Sequence, residues 1–161
     1  MCGIFAAYGE RVTTCIDAVR RGLKVLHHRG PDSTNMWQSQ TGEVILGHTR
    51  LSIIDLSTGD QPLANEDDTL HVVVNGEFYG FEQIRKDLTA RGHRFRTKTD
   101  SEIVLHLYEE HGVECVHQLR GEYAFVLWDE RRNSSLPPET VSGSSLCSIR
   151  RLGKGFSLRP K

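Results

Sequence analysis

The chain has 161 residues, 37% of them hydrophobic and 25% charged, with a formal net charge of −1. That size and composition predict one globular domain with a real core. The near-neutral balance argues against a nucleic-acid or anionic-membrane partner. No apolar run approaches the roughly 20 residues of a membrane span, and no signal peptide opens the sequence.

Cys2, Cys15, Cys115 and Cys147 show no paired spacing, so neither a zinc site nor a disulfide framework is expected, and a reducing, cytoplasmic setting fits. Charge is uneven along the chain. Residues 133–161 hold five Lys/Arg against one Glu, with seven serines and three of the five prolines. This shift predicts a boundary after Arg132, with 1–132 as the domain and 133–161 as a disordered tail.

Residues 2–8 form a continuous apolar run of strand length. Thr13 and Thr14 can cap a following helix in which Ile16, Val19, Leu23 and Leu26 recur at helical spacing. Gly30 and Pro31 end it within His28-Arg29-Gly30-Pro31-Asp32. Residues 44–54 read as a strand with a bulge at Gly47, and Asp55 to Ala64 as a loop. Leu70 to Val74 reads as a strand meeting a turn at Asn75-Gly76, with a restart at Glu77. Phe81, Ile84 and Leu88 mark a helix that Gly92 can close. Thr99 to Glu102 has the form of a capping box ahead of a helix carrying Ile103, Leu107 and His111, and Val113 to Leu119 can add a short helix. Glu122 to Asp129 reads as a core strand turning at Asp129 to Arg132, but its partner does not follow, because Asn133 to Pro138 is a poor strand sequence. Strands and helices do not strictly alternate, which favours α+β.

Several polar residues can carry chemistry. Cys2 combines a thiol with a free α-amine once Met1 is trimmed, so nucleophile and base can share one residue; it is otherwise the start of a buried strand. Arg50 either faces inward toward a carboxylate or is the outward residue of an alternating strand. Asn75 and Gly76 can aim two donors at one oxygen or form an ordinary turn before Glu77. Asp100 suits a helix start. The eight histidines show no metal spacing.

As an ordered set, these stretches resemble the glutaminase domain of class II, N-terminal-nucleophile glutamine amidotransferases, in particular the glutamine-hydrolysing asparagine synthetase branch. The matching blocks are Met-Cys-Gly-Ile at 1–4, His-Arg-Gly-Pro-Asp at 28–32, Gly-His-Thr-Arg-Leu-Ser-Ile-Ile-Asp at 47–55 and Gln-Pro-Leu at 61–63. Val-Asn-Gly-Glu-Phe-Tyr at 74–79, Thr-Asp-Ser-Glu at 99–102 and Leu-Arg-Gly-Glu-Tyr-Ala-Phe at 119–125 complete the set. The glucosamine-6-phosphate synthase branch typically follows the arginine with Trp-Ala-Thr-His-Gly, whereas Leu51-Ser52-Ile53-Ile54 follows Arg50 here. Gly80 stands where the family usually has Asn.

The resemblance implies a four-layer αββα sandwich of two antiparallel sheets (the Ntn-hydrolase fold), incomplete at its C-terminus. It implies that Cys2 attacks the side-chain amide of glutamine, with Asn75 and Gly76 as oxyanion hole. Arg50 would hold the α-carboxylate and Glu77 and Asp100 the α-ammonium, with backbone groups near Leu51, Ile53 and Ile54 lining the pocket. No metal or cofactor is implied for this half. ATP and Mg belong to a second, aspartate-adenylating domain, whose Ser-Gly-Gly-x-Asp-Ser loop has no counterpart here; Ser142-Gly143-Ser144-Ser145 lacks the second glycine and the aspartate.

In the family a strand resembling Leu-Phe-Ala-Ala-Arg-Asp-Arg-Phe-Gly-Ile-Lys-Pro-Leu follows the last turn. Codons can be chosen from Asn133 onward whose shifted frame reads Gln-Leu-Phe-Ala-Ala-Arg-Asp-Arg-Phe-Gly-Ile-Lys-Pro-Leu-Phe-Tyr. The tail is therefore expected to be an out-of-frame translation, and the chain a fragment that folds poorly. The competing expectations are a catalytically silent fragment and a stand-alone amidotransferase subunit serving a separate synthetase chain.

Overall fold

A computed structural model describes residues 2–53, 55, 57–132, 140–142, 147–152 and 155–160. The first sheet has the order β1 (Gly3–Tyr8), β3 (Val44–Arg50), β2 (Ser33–Gln38), all antiparallel. β3 is the central strand and is buried along its whole length. Gly47 makes no bulge: it pairs in register with Phe5 and Met36. Its missing side chain makes room for Leu23, since a Cβ there would stand 2.9 Å from Leu23 Cδ1. That close approach seats helix α1 (Ile16–Leu26) on the sheet through Val19, Leu23 and Ile45, with Phe5, Ile16 and Met36 around them. No side chain caps α1; Thr14 Oγ1 donates instead to the Arg11 carbonyl at 2.9 Å. β2 was not expected, because Ser-Thr-Asn-Met-Trp-Gln carries too few apolar residues to read as a strand.

The second sheet runs β4 (Leu63–Ala64), β5 (Leu70–Phe78), β6 (Gly121–Asp129), β7 (Thr140–Ser142). The turn expected at Asn75-Gly76 is absent. β5 runs straight through it, paired with β6 from Leu70↔Asp129 to Phe78↔Gly121. Nine residues of cross-strand pairing outweigh the local turn preference of two. Helices α2 (Phe81–Ala90) and α3 (Ile103–His111) lie between β5 and β6 in sequence and cover one face of their sheet. Leu88, Ile103, Val104, Leu105 and Leu107 pack there against Val72, Val74, Phe78 and Phe125. The capping box is also not formed. Glu102 instead turns its carboxylate to the N–H groups of Arg96 and Thr97, at 2.6 and 2.7 Å.

Period-two alternation sends the other faces of the two sheets toward each other. Ile4, Ala6, Tyr8, Val44 and Leu46 meet Val73, Val126 and Trp128 in the middle of the molecule. The layers are therefore α1, sheet, sheet, α2 with α3: an α+β, four-layer αββα sandwich of antiparallel sheets.

In the described parts of the tail, Thr140–Ser142 forms β7 against Ala124–Val126, and β8 (Cys147–Leu152) pairs with β9 (Gly155–Pro160) as a separate hairpin. Thr140 and Val141 are β-branched, and the outer edge of β6 offers unpaired backbone groups to any such segment. Residues 133–139 lie outside the described residues. Among those described, no helix is long and apolar enough to cross a membrane.

Candidate active site

Strand parity assembles the site. Ile4, Ala6 and Tyr8 of β1 face the intersheet core, so Cys2 begins the same face. Val44 and Leu46 of β3 share that face with His48 and Arg50 beyond them, and Val73 of β5 shares it with Asn75 and Glu77. Gly3 pairs with Thr49, which sets Cys2 across from Arg50. The buried His48 then crosses between the sheets, its Nε2 donating to the Val74 carbonyl at 3.2 Å, so the ends of β3 and β5 lie over one another.

Cys2 sits in a polar backbone setting rather than a purely apolar one. The Leu51 N–H donates to its Sγ at 3.4 Å, and Sγ is 3.8 Å from the Leu51 carbonyl. Arg29 Nε donates to the Cys2 carbonyl at 3.1 Å. Gly30 presses against β3, where a Cβ would come 2.3 Å from the Thr49 carbonyl oxygen. Asp32 accepts the Ser52 N–H at 2.6 Å. The 28–32 stretch, a helix stop by composition and one of the blocks of the resemblance, is thus the clamp that fixes Cys2 and the segment after β3.

Arg50 faces inward and is 5% exposed. Its Nη1 donates to Asp60 Oδ1 at 2.9 Å and its Nη2 to the Asp55 carbonyl. Burial opposes ionisation of Asp60, but hydrogen bonds from Arg50 and Ser33 outweigh it and hold the carboxyl below its ordinary range. Asp55 is held down more strongly by the Thr58 hydroxyl and the Lys98 N–H, which ties this loop to the segment leading into Asp100.

On β5, the Val74 N–H is taken by Gln61 Oε1 at 2.6 Å, so Gln61 continues the edge that β4 leaves at Leu63. Asn75 follows, and its Oδ1 is buried with no hydrogen-bond partner among the described residues. Gly76 has φ +143°, where a Cβ would meet the Glu122 carbonyl at 2.1 Å. Asp100, 5% exposed, accepts the Phe78 N–H through Oδ2 at 2.8 Å, so it anchors the strand end instead of serving helix α3. Glu77 is exposed beside it.

Of the expected site residues, the structure brings Cys2, Arg50 and Leu51 together, and gathers Asn75, Gly76, Glu77 and Asp100 at the end of β5. The side chain of Ile53 points away and is 76% exposed; Ile54 lies outside the described residues. His48, Asp60 and Gln61 were missed as site-building residues. His48 stands out only as a polar side chain inside an apolar strand, and Asp60 and Gln61 lie in a loop, so nothing in the sequence says what they meet.

His48 carries a testable pH dependence. Desolvation lowers its pKa from 6.5 to about 4, against the opposing hydrogen bond to Val74. Between those values the unfolded chain binds a proton that the folded chain does not. Folding stability is therefore full above pH 6.5 and falls by about 3 kcal/mol as pH drops toward 4. Urea unfolding across this interval should show that slope, and His48→Asn should remove most of it.

The sequence matches the family model described as a glutamine amidotransferase domain over residues 1–136. It is 46% identical over 145 residues to an asparagine synthetase [glutamine-hydrolyzing] of Sandersonia aurantiaca, covering 89% of this chain and 27% of that protein. It is 47% identical to asparagine synthetase [glutamine-hydrolyzing] 1 of Arabidopsis thaliana, covering 89% and 24%. The chain thus spans about a quarter of the length of these relatives. Among solved structures, it resembles one titled as the allosteric regulatory enzyme of purine biosynthesis, with TM-score 0.66, 20% identity, and coverage of 81% of this chain and 36% of that one. A second, the glutamine phosphoribosylpyrophosphate amidotransferase of B. subtilis, gives TM-score 0.61 at 21% identity, covering 80% and 35%. Sharing their fold, and matching the family model along most of its length, the chain belongs to the glutamine amidotransferase domain family.

Proposed function

We propose that this chain is the glutaminase part of an asparagine-synthetase-type enzyme, releasing ammonia from glutamine for asparagine synthesis. The observation that supports the reading is Cys2 standing across from Arg50 at the ends of β1 and β3, with His48 bonded to the Val74 carbonyl next to Asn75 on β5. With Met1 removed, the Cys2 α-amine takes the thiol proton and Sγ attacks the side-chain carbonyl carbon of glutamine. The oxyanion is met by the Asn75 side-chain amide and the Gly76 N–H. The proton returns to the leaving nitrogen, ammonia departs, and a glutamyl thioester remains on Cys2. Water, deprotonated by the same amine, then releases glutamate.

Arg50 receives the α-carboxylate, sharing its guanidinium with Asp60. Glu77 and Asp100 take the α-ammonium, and the backbone near Leu51, Ile53 and Ile54 closes the pocket. Nucleophile, base and oxyanion donors are all protein groups, so this half needs no metal or cofactor. ATP and Mg serve the aspartate-activating portion of a longer enzyme, in a cytoplasmic setting. A glutamine-analogue electrophile tests the reading: it should label Cys2 in the native chain, and labelling elsewhere or not at all would refute it. Arg50→Lys should raise the KM for glutamine about tenfold or more with a smaller change in kcat, because an ammonium cannot reproduce the two-pronged contact; steady-state kinetics checks this.

The second reading concerns the tail. Its composition and the shifted-frame match to the family's next strand support an out-of-frame origin for 133–161. The domain then ends after Arg132, and an incompletely covered β6 edge leaves the fragment poorly folded and weakly active or silent. A gene whose alternative frame after codon 132 does not encode that strand would end this reading.

A further inference from the structure

On the side of the second sheet away from Cys2, two histidines meet four glutamates. His106 and Glu109 lie on α3, His93 in the connection from α2, and Glu66 in the loop between β4 and β5. His106 is fully buried, His93 and Glu109 are partly buried, and Glu66 stands at the rim. We propose that Glu66, His93, His106 and Glu109 form a binding site for a divalent transition-metal cation, with Zn2+ the best fit.

One ligand atom each from Glu66, His93 and His106 can be chosen so that all lie within 4.8 Å of one another. Glu109 Oε2 lies 2.9 Å from His106 Nδ1 and 3.1 Å from His93 Nδ1, and Glu66 Oε2 lies 3.6 Å from His106 Nδ1. Tetrahedral zinc with bonds of roughly 2.0–2.1 Å sets its ligand atoms about 3.4 Å apart, and these separations bracket that value. Two imidazoles with two carboxylates suit zinc, whereas magnesium and calcium prefer oxygen alone.

The surroundings match a metal site as well. A metal-bound imidazole normally points its other nitrogen at a carboxylate or carbonyl, which fixes its tautomer. His93 Nε2 is 2.9 Å from Glu110 Oε1, and Glu110 is itself held by Arg91 at 3.0 Å. His106 Nε2 faces Glu102 Oε1 at 3.8 Å and has no hydrogen-bond partner among the described residues. Asn65 Nδ2 fixes the second oxygen of Glu109 at 2.7 Å. A dication there also offsets the crowding of four carboxylates. It would tie the β4–β5 loop to α3.

The test is titration of the chelator-treated full chain with Zn2+ alone, with Co2+ as spectroscopic probe. One equivalent should bind and raise the unfolding midpoint. Glu66→Gln, at the rim, should weaken binding about tenfold, and His93→Gln by up to about 100-fold. Bound Co2+ should show visible bands of a nitrogen–oxygen site without thiolate charge transfer. No binding, equal affinity in both variants, or a thiolate band pointing to the cysteines would each overturn the proposal. The buried His106 is left unmutated, so a folding failure cannot imitate the result.

Discussion

Cys2→Ala is expected to abolish glutamine hydrolysis, lowering kcat by at least about 10^4-fold, the scale seen when a covalent nucleophile is removed. Among the cysteines whose side chains are described, neither of the others can replace it. Cys15 is exposed at the start of α1, and Cys115 is buried among the helix-layer residues. The substitution should leave folding intact, because Cys2 precedes β1 and its main packing partner is the Leu51 backbone. Urea unfolding of the variant should therefore match the parent while ammonia release vanishes. Intact mass bears on the same point: a chain that keeps Met1 has no free amine on Cys2, and it should be as inactive as the alanine variant. Residual turnover of more than a percent in Cys2→Ala would move the nucleophile elsewhere.

Gly76→Ala is expected to be among the most damaging single methyls at the described glycines, alongside Gly121→Ala, costing on the order of 3–5 kcal/mol. The position combines two penalties. Its φ of +143° is costly for a residue with a side chain, and the new Cβ would sit 2.1 Å from the Glu122 carbonyl and 2.4 Å from Tyr123 Cα, both backbone atoms. Relief requires β5 and β6 to separate next to Asn75. Denaturant midpoints should fall accordingly, and any folded fraction should hydrolyse glutamine poorly. A variant of parental stability would show that the strand pair is looser there than the register implies. Gly80→Ala is the internal contrast. Its φ is +69°, but nothing lies within 4 Å of the added Cβ, so only the conformational cost applies.

The presence of α1, α2, α3, β1 and β6 was legible from local pattern, whereas the αββα layering came from the resemblance, and β1 is less buried than its continuous apolar run suggests. The course of β5 was not legible at Asn75-Gly76, where local preference for a turn is overruled by β6, a strand more than forty residues later. Glu102 shows the same lesson on a smaller scale. Its spacing from Thr99 promises a cap, but the carboxylate finds two N–H donors in the 96–97 loop, a pairing no spacing rule contains. Around the candidate site, Cys2 and Arg50 were singled out as polar residues at or inside apolar runs, and only the fold decides that Arg50 faces inward. Gln61 and His48 were not, because each acts on the Val74 backbone across a gap that only the folded sandwich defines.

The two contacts that make the site are both distant in sequence. Cys2 meets Leu51 across 49 residues, and Gly76 meets Tyr123 on the far side of the whole α2–α3 excursion. Chain closure over such loops is slow and comes late, after the helices have formed locally. Under the proposed function, reactivity toward glutamine is therefore a late event in the folding of this chain. During refolding, helical signal should recover first, and Cys2 should become reactive toward a glutamine analogue only once both sheets have closed.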